Sequence, residues 1–114
     1  MVLQDPRIDK NSMIEKGSSV LNSAMGSWVL NRFAPLMEKL GERDTADLCR
    51  KTAHQLRELV ASSWNGRWFD RGYGPPTEFQ PEGTVIGRDR CWLEVQPWAI
   101  LCGAASSEQS RSLV

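Results

Sequence analysis

The sequence predicts an all-α chain of about three to four helices, interrupted by one long aromatic loop or small hairpin. Three observations predict it. Apolar residues recur three and four apart from Val20 to Leu40 and again from Ala46 to Val60, a glycine- and proline-rich aromatic stretch follows, and a short apolar segment then opens on Pro97.

Residues 1–16 carry Asp5, Pro6, Arg7, Asp9 and Lys10 with little periodicity and read as a loop or lead-in. A first helix is expected from Ser18 or Ser19, because Val20, Leu21, Ala24, Met25, Trp28 and Val29 fall in two columns four apart. Leu36, Met37 and Leu40 extend the set beyond Pro35. A proline there removes a backbone donor and crowds the preceding turn, so the spacing predicts a kink or break near Arg32, and Gly41 suits a C-terminal cap.

A second helix is expected over residues 43–62, where Ala46, Cys49, Ala53, Leu56 and Val60 form a stripe one face wide. Such a helix packs on one side only, as in the outer layer of a helical assembly. From Trp64 to Leu93 the sequence holds five glycines and three prolines among short runs such as Trp68-Phe69 and Thr84-Val85-Ile86, which predicts an irregular loop with at most a small hairpin. A loop of about 30 residues is uncommon in a compact domain and is more often functional than idle.

Pro97 suits the first turn of a third helix, and Trp98, Ala99, Ile100 and Leu101 make it apolar on nearly every side, which predicts burial all round. Ser106 or Ser107 is placed to cap a fourth, short helix before Val114. These elements offer more apolar face than they cover among themselves. Residues 17–114 are therefore expected to form part of a larger domain, completed by a partner or further sequence.

Hydrophobic residues at 40% and charged residues at 25% belong to a globular protein that packs a core, and 114 residues hold one small domain. Fourteen basic residues balance fourteen acidic ones, so no net field draws the chain to nucleic acid or to an anionic membrane. With no apolar run near the roughly 20 residues of a membrane span and no signal-peptide pattern, a cytoplasmic location is the default expectation. Cys49, Cys91 and Cys102 fit neither a disulfide framework nor a zinc site, and read as reduced, buried thiols. His54, the one histidine, lies on the solvent flank of the second helix, which argues against a multi-histidine metal site and a His-activated nucleophile.

Five tryptophans in a chain with one tyrosine are the unusual feature. The run Trp64-Asn65-Gly66-Arg67-Trp68-Phe69-Asp70-Arg71-Gly72-Tyr73 interleaves aromatic faces with amide, carboxylate and guanidinium groups. Sugars present apolar CH faces rimmed by hydroxyls, and a sugar site needs that mixture. The structural alternative is a hairpin that buries its indoles while Asp70 and Arg71 pair at the surface. A second cluster runs from Gly87 to Trp98, where Glu94 and Gln96 stand at a helix start, either to bind hydroxyls or simply to cap that helix. Asp70, Glu82, Asp89 and Glu94 are candidate carboxylates for glycosidic chemistry, but spacing across a loop does not show that any two face each other.

Three segments in order, Lys16-Gly-Ser-Ser-Val-Leu-Asn-Ser-Ala-Met, Trp64-Asn-Gly-Arg-Trp-Phe-Asp-Arg-Gly-Tyr and Trp92-Leu-Glu-Val-Gln-Pro-Trp-Ala-Ile-Leu-Cys-Gly-Ala-Ala, resemble glycosyl hydrolase family 94 over about residues 16–105. That family holds the inverting phosphorylases of cellobiose, chitobiose and cellobionic acid and the phosphorylase part of cyclic glucan synthases. The Trp-Leu-Glu-x-Gln-Pro-Trp form is most similar to the cellobionic acid branch. The resemblance implies an (α/α)6 barrel whose helix-connecting loops form the sugar site, no cofactor, inorganic phosphate as co-substrate, and homodimers in full-length members. It also implies phosphorolysis: phosphate attacks the anomeric carbon with inversion while one carboxylic acid protonates the leaving oxygen, and no general base is needed.

The family's proton donor lies in an Asp-Trp-Asn-Asp-like motif upstream of the Gly-Ser-Ser-Val region, a context that Asp5 and Asp9 lack. Its phosphate-binding histidine and Thr-Gly pair fall beyond the position of Val114. The resemblance therefore implies substrate-binding rather than catalytic residues in this chain: Arg71, Glu94, Gln96 and Trp68, with Arg88 or Arg90 available to neutralise an aldonate carboxylate through a bidentate pair. The expected function is part of an inverting glycoside phosphorylase acting on a disaccharide or an aldonic-acid-linked sugar. The alternative is a free-standing, non-catalytic helical sugar-binding or interaction module. A thermal melt of the isolated chain discriminates between them: a sharp monomeric transition favours the module, and a molten or aggregated product favours the larger domain.

Overall fold

A computed structural model describes residues 17–114, so the lead-in expected over 1–16 lies outside the described residues. Helix α1 spans Val20–Lys39 and starts where the serines place it. Ser19 is extended at φ −113°, and its side chain accepts the Asn22 N–H at 3.2 Å as an N-cap. At the other end the Glu42 N–H donates to Met37 O at 2.9 Å and the Gly41 N–H to Glu38 O at 3.1 Å, with Gly41 at φ +81°. That is a Schellman closure, and the left-handed φ is the reason for the glycine.

The break expected near Arg32 is absent: α1 runs unbroken through Pro35. Tertiary packing keeps the helix continuous there, since Ala34 is fully buried against Ala46 and Cys49 with Leu30 and Met37 beside it. The carbonyl that Pro35 leaves without a donor belongs to Asn31, which is exposed, so water can satisfy it.

Helix α2, Arg43–Ala61, folds back along α1 on the stripe read from the sequence. Their seam is lined by small side chains, Ala24, Ser27 and Ala34 from α1 and Ala46, Cys49 and Ala53 from α2, all buried. The backbones consequently approach closely. The buried Ser27 hydroxyl donates to Ala53 O at 2.7 Å, and a β-carbon on Gly26 would stand 3.2 Å from Leu56 Cδ1.

The long loop contains the hairpin expected of it, β2 (Gly72–Gly74) with β3 (Thr84–Ile86), and adds β1 (Ser18–Ser19) as a third strand. The sheet is antiparallel in the order β1-β2-β3, pairing Ser19 with Gly72 and Gly72 with Ile86. Two residues are too few to show a strand period, so β1 is visible only through its partner. Beyond the ladder, the Val20 N–H donates to Arg71 O at 3.0 Å and the Arg71 N–H to Ile86 O at 2.7 Å. The start of α1 is thereby tied to the middle of the aromatic loop.

Helix α3, Val95–Leu101, buries Val95, Gln96 and Ala99 in the main core with Val20, Ala24, Val60, Phe69 and Cys102. Trp28 and Trp98 meet edge-on at 5.7 Å, and Trp64 meets Phe69 at 5.0 Å. Burial all round does not hold for α3, because Pro97 is exposed and Leu101 is 57% exposed. Helix α4, Ser107–Leu113, opens on a reciprocal capping box between Ser106 and Gln109. Cys49 and Cys102 are buried free thiols as expected, whereas Cys91 is exposed in the turn between β3 and α3. More than half of the described residues are helical, and no described helix is long and apolar enough to cross a membrane.

One further face is open. Val29, Phe33, Leu36 and Leu40 are exposed in a single stripe along α1, opposite the α2 seam. This agrees with the reading that the elements carry more apolar face than they cover among themselves. Replacing Pro35 by Ala restores the donor to Asn31 O and removes the ring. Pro35→Ala is expected to stabilise the fold by about 1–3 kcal/mol. The urea midpoint checks it, and an unchanged or lower midpoint would mean that the packing of Ala34 depends on the proline.

Candidate functional site

A tight turn after α2 sets up the aromatic cluster. Asn65 Oδ1 accepts the N–H groups of Arg67 and Trp68 at 3.1 and 3.2 Å, and Gly66 takes φ +102°. This Asx turn reverses the chain so that Trp64 bridges Phe69. Trp68 is half-buried, its indole N–H donating to Gly87 O at 2.6 Å and one ring face covered by the Arg67 guanidinium at 4.3 Å.

The next residues are extended, and their side chains alternate in direction. Phe69 enters the core. Asp70 turns inward and is 1% exposed, while Arg71 turns toward Ser19, Trp92 and Glu94. The surface pair of Asp70 with Arg71 allowed by the sequence does not form, because neighbours in an extended segment face opposite ways. Asp70 instead accepts from Asn65 Nδ2 at 2.9 Å, from the Tyr73 hydroxyl at 2.9 Å, and from Arg88 NH2 at 3.2 Å.

Arg71 is buried and needs a counter-charge. Its Nε lies 3.0 Å from Glu94 Oε1, NH1 donates to Ser19 Oγ at 3.1 Å, and the guanidinium stands 5.7 Å from the Trp92 ring centre. The Nε–H does not point along the line to the carboxylate, so that contact is ionic rather than a formed hydrogen bond. Glu94 remains half exposed and makes no side-chain cap to α3.

Gln96 goes the other way. It is 4% exposed, its Oε1 accepts the Phe69 N–H at 2.9 Å, and its Nε2 donates to Phe69 O and Trp92 O, each at 3.0 Å. With both donor hydrogens engaged inside the chain, Gln96 braces the Asp70–Arg71 segment against α3. Arg88 and Arg90 are both exposed, and Arg90 has no ion pair or hydrogen bond among the described residues.

The structure thus brings Trp68, Arg71, Arg88 and Glu94 around one loop junction, whose pivot is Gly87. It holds φ +93°, and a β-carbon there would stand 2.7 Å from Arg71 N and 2.9 Å from Arg71 Cβ. Asn65, Tyr73 and Gly87 lie within the two clusters that the sequence marks without being singled out there as site residues, and Ser19 is marked there only as a helix start. Gly87, set between a β-branched run and a charged one, was the most findable of them. Glu82 and Asp89 are exposed at the loop surface, and no group of three metal-ligating side chains occurs among the described residues. A separate polar cleft of about 310 Å³ lies between the Trp64–Gly66 turn and α4, lined by Ser106, Glu108, Gln109 and Ser112 as well. None of the site residues expected from the sequence lines it.

The family model for the catalytic domain of the glycosyl hydrolase 94 superfamily matches residues 6–114. The chain belongs to that family. It is 28% identical over 111 residues to a 3-O-β-D-glucopyranosyl-β-D-glucuronide phosphorylase of Paenibacillus borealis, covering 92% of this chain and 14% of the relative. It is 33% identical over 100 residues to a cellobionic acid phosphorylase of Neurospora crassa, covering 82% of this chain and 12% of that protein. The chain therefore spans about one seventh or less of the length of these relatives, both of them phosphorylases. Its mostly helical structure fits a place in a glycosyl hydrolase 94 catalytic domain, an (α/α)6 barrel.

In this family member Tyr73 reports on the buried side of the junction. Burial first, and then its hydrogen bond to the Asp70 carboxylate, push the phenol up to about 12 from an ordinary 10.0. A raised acid favours the neutral form in the folded state, so its contribution to stability is complete below pH 10 and is lost as pH rises toward 12. Tyr73 is the only tyrosine in the chain, so phenolate absorbance titrates it alone. The expected midpoint is near 12 when folded and near 10 in denaturant, and equal midpoints would refute the buried Tyr73–Asp70 contact.

Proposed function

We propose that the chain supplies a sugar-binding wall of an inverting phosphorylase that cleaves a β-linked disaccharide whose acceptor unit carries a carboxylate. The carrying observation is the Arg71–Glu94 pair beside Trp92. A buried guanidinium fixes a half-exposed carboxylate next to an indole, leaving acceptor oxygen for a sugar hydroxyl beside an apolar face. Both relatives support the acceptor class, since a cellobionic acid and a glucuronide each bear an acid group.

In the proposed reaction the bond from the anomeric carbon to the acceptor oxygen breaks, and a bond to a phosphate oxygen forms on the opposite face. The acceptor oxygen takes a proton from a carboxylic acid, and a sugar 1-phosphate leaves. Inorganic phosphate is the co-substrate and no cofactor takes part. This chain's share is binding and orientation. Glu94 accepts from a hydroxyl, Trp68 and Trp92 offer indole surface, and an arginine of the 88–90 turn faces the acceptor carboxylate. Gln96 and Arg71 hold these groups in place.

Glu94→Gln keeps an acceptor oxygen near Arg71 but removes the charge. In a full-length phosphorylase that carries this segment, the substitution is expected to lower kcat/KM for phosphate-dependent sugar 1-phosphate release by about tenfold, the effect of weakening one charge-assisted hydrogen bond. The far-UV spectrum should be unchanged. Full retention of kcat/KM would remove Glu94 from the substrate contacts.

A further inference from the structure

Two arginines of the turn after β3, Arg88 and Arg90, are equally exposed in sequence terms, yet the structure treats them differently. The backbone at Arg88 is held from three directions. Trp68 donates to Gly87 O at 2.6 Å, Arg67 NH2 to Arg88 O at 3.4 Å, and Gly87 is packed against Arg71 where no other residue fits. Its side chain is held as well, by NH2 on Asp70 Oδ2 at 3.2 Å. Arg88 nonetheless remains 61% exposed, so it reaches one nitrogen down to a buried carboxylate and leaves the rest of the guanidinium at the surface.

Asp70 is anchored independently of Arg88. Asn65 Nδ2 holds one oxygen and the Tyr73 hydroxyl the other, each at 2.9 Å, and the Asp70 N–H donates to Ser63 O at 2.9 Å. A guanidinium has five N–H donors, and here one nitrogen is tethered while Nε and NH1 have no partner among the described residues. NH2 carries a second hydrogen, which with the neighbouring Nε–H or NH1 hydrogen still makes one bidentate edge, so this is an arginine with its orientation set in advance and an edge left for a planar anion. Arg90, without any such tether, would lose its full rotamer freedom on binding. Asp70 lies behind the guanidinium, so an anion touching Arg88 is farther from Asp70 than from the positive charge, and net attraction survives.

We infer that Asp70 is a positioning residue that orients Arg88, rather than Arg90, to bind the acceptor carboxylate. The inference rests on the carboxylated-acceptor reading above. It adds which arginine is used and what holds it, and Tyr73 and Asn65 enter as the groups that keep Asp70 in place.

Equilibrium binding to cellobionic acid and to neutral cellobiose, measured by calorimetry on a full-length phosphorylase that carries this segment and on its variants, tests it. The wild type is expected to prefer the acid by about tenfold, consistent with one charge-assisted bidentate pair. Arg88→Gln should abolish that preference, and Asp70→Asn should cut it about threefold to tenfold while cellobiose affinity stays within about twofold. Asp70→Asn added to Arg88→Gln should change nothing further, and Arg90→Gln should leave the preference intact. Where Asp70→Asn perturbs the far-UV spectrum, Tyr73→Phe serves instead, with a smaller loss in the same direction.

An unchanged preference in Asp70→Asn alongside its loss in Arg88→Gln overturns the positioning role and leaves the acceptor reading standing. Equal losses for acid and neutral sugar mark Asp70 as merely structural, which also overturns it. Loss of the preference in Arg90→Gln assigns the wrong arginine. A wild type without preference for the acid removes the acceptor reading itself, and this inference with it.

Discussion

The carboxamide of Gln96 closes on both backbone groups of Phe69, at 2.9 and 3.0 Å, in a part of the molecule from which water is excluded. Leaving those groups unpaired would cost about 1–3 kcal/mol each. No other side chain of α3 offers a donor and an acceptor from one end, so the loop must lie where Gln96 can reach it. That contact drives Phe69 into the core with Val60 and Val95 and fixes the extended path of the two residues after it. From the path follows the alternation that sends Asp70 and Arg71 to different partners.

The two ion pairs of the junction are crossed in consequence. Asp70 pairs across the hairpin with Arg88, and Arg71 pairs with Glu94 at the start of α3. Each joins a buried charge to an exposed one, with side-chain exposures of 1% against 61% and 9% against 50%. Such half-buried pairs are poor sources of net stability, because desolvating the inner charge offsets the attraction. What they achieve is placement, since the exposed partner is held by a group that cannot move. Ser19 extends this to the helical hairpin, its one hydroxyl oxygen accepting from the Asn22 N–H that starts α1 and from Arg71 NH1. A shift of α1 against α2 would be felt at the site through that oxygen.

Local chemistry explains why parts of this were legible in the sequence. The α2 stripe, the Gly41 closure and the Ser106 cap each depend on residues within one or two turns, and the structure keeps all three. The break allowed at Pro35 does not form because its local cost is outweighed by the burial of Ala34 on α2, a contact between distant residues. The apolar run from Trp98 to Leu101 indicated how much surface needs covering, not which side is covered within these residues. At the site, Trp68, Arg71, Arg88 and Glu94 were legible as residue types that suit a sugar. The brace by Gln96 and the tether of Arg88 were not, because they are pairings across 27 and 18 residues.

The same geometry bears on why an aromatic-rich loop of this length stays ordered around charged groups. Tryptophan supplies large apolar area with few rotatable bonds and one N–H to place. Trp68 places its N–H on Gly87 O, which pins the turn that presents Arg88, while its ring carries the aliphatic and guanidinium surface of Arg67. Trp92 does the corresponding service for Arg71, and Trp28 for Arg32 at 4.4 Å. Three of the five tryptophans thus shelter arginines, and two of these, Trp28 and Trp92, also border the core. A guanidinium lying on an indole keeps its in-plane N–H donors directed outward, where they can meet carboxylates or hydroxyls. In this chain Arg71, beside Trp92, meets Glu94 in that way, whereas Arg88 lies on no indole and is oriented by Asp70 instead, so stacking and ion pairing are two separate means of fixing a guanidinium in the same loop.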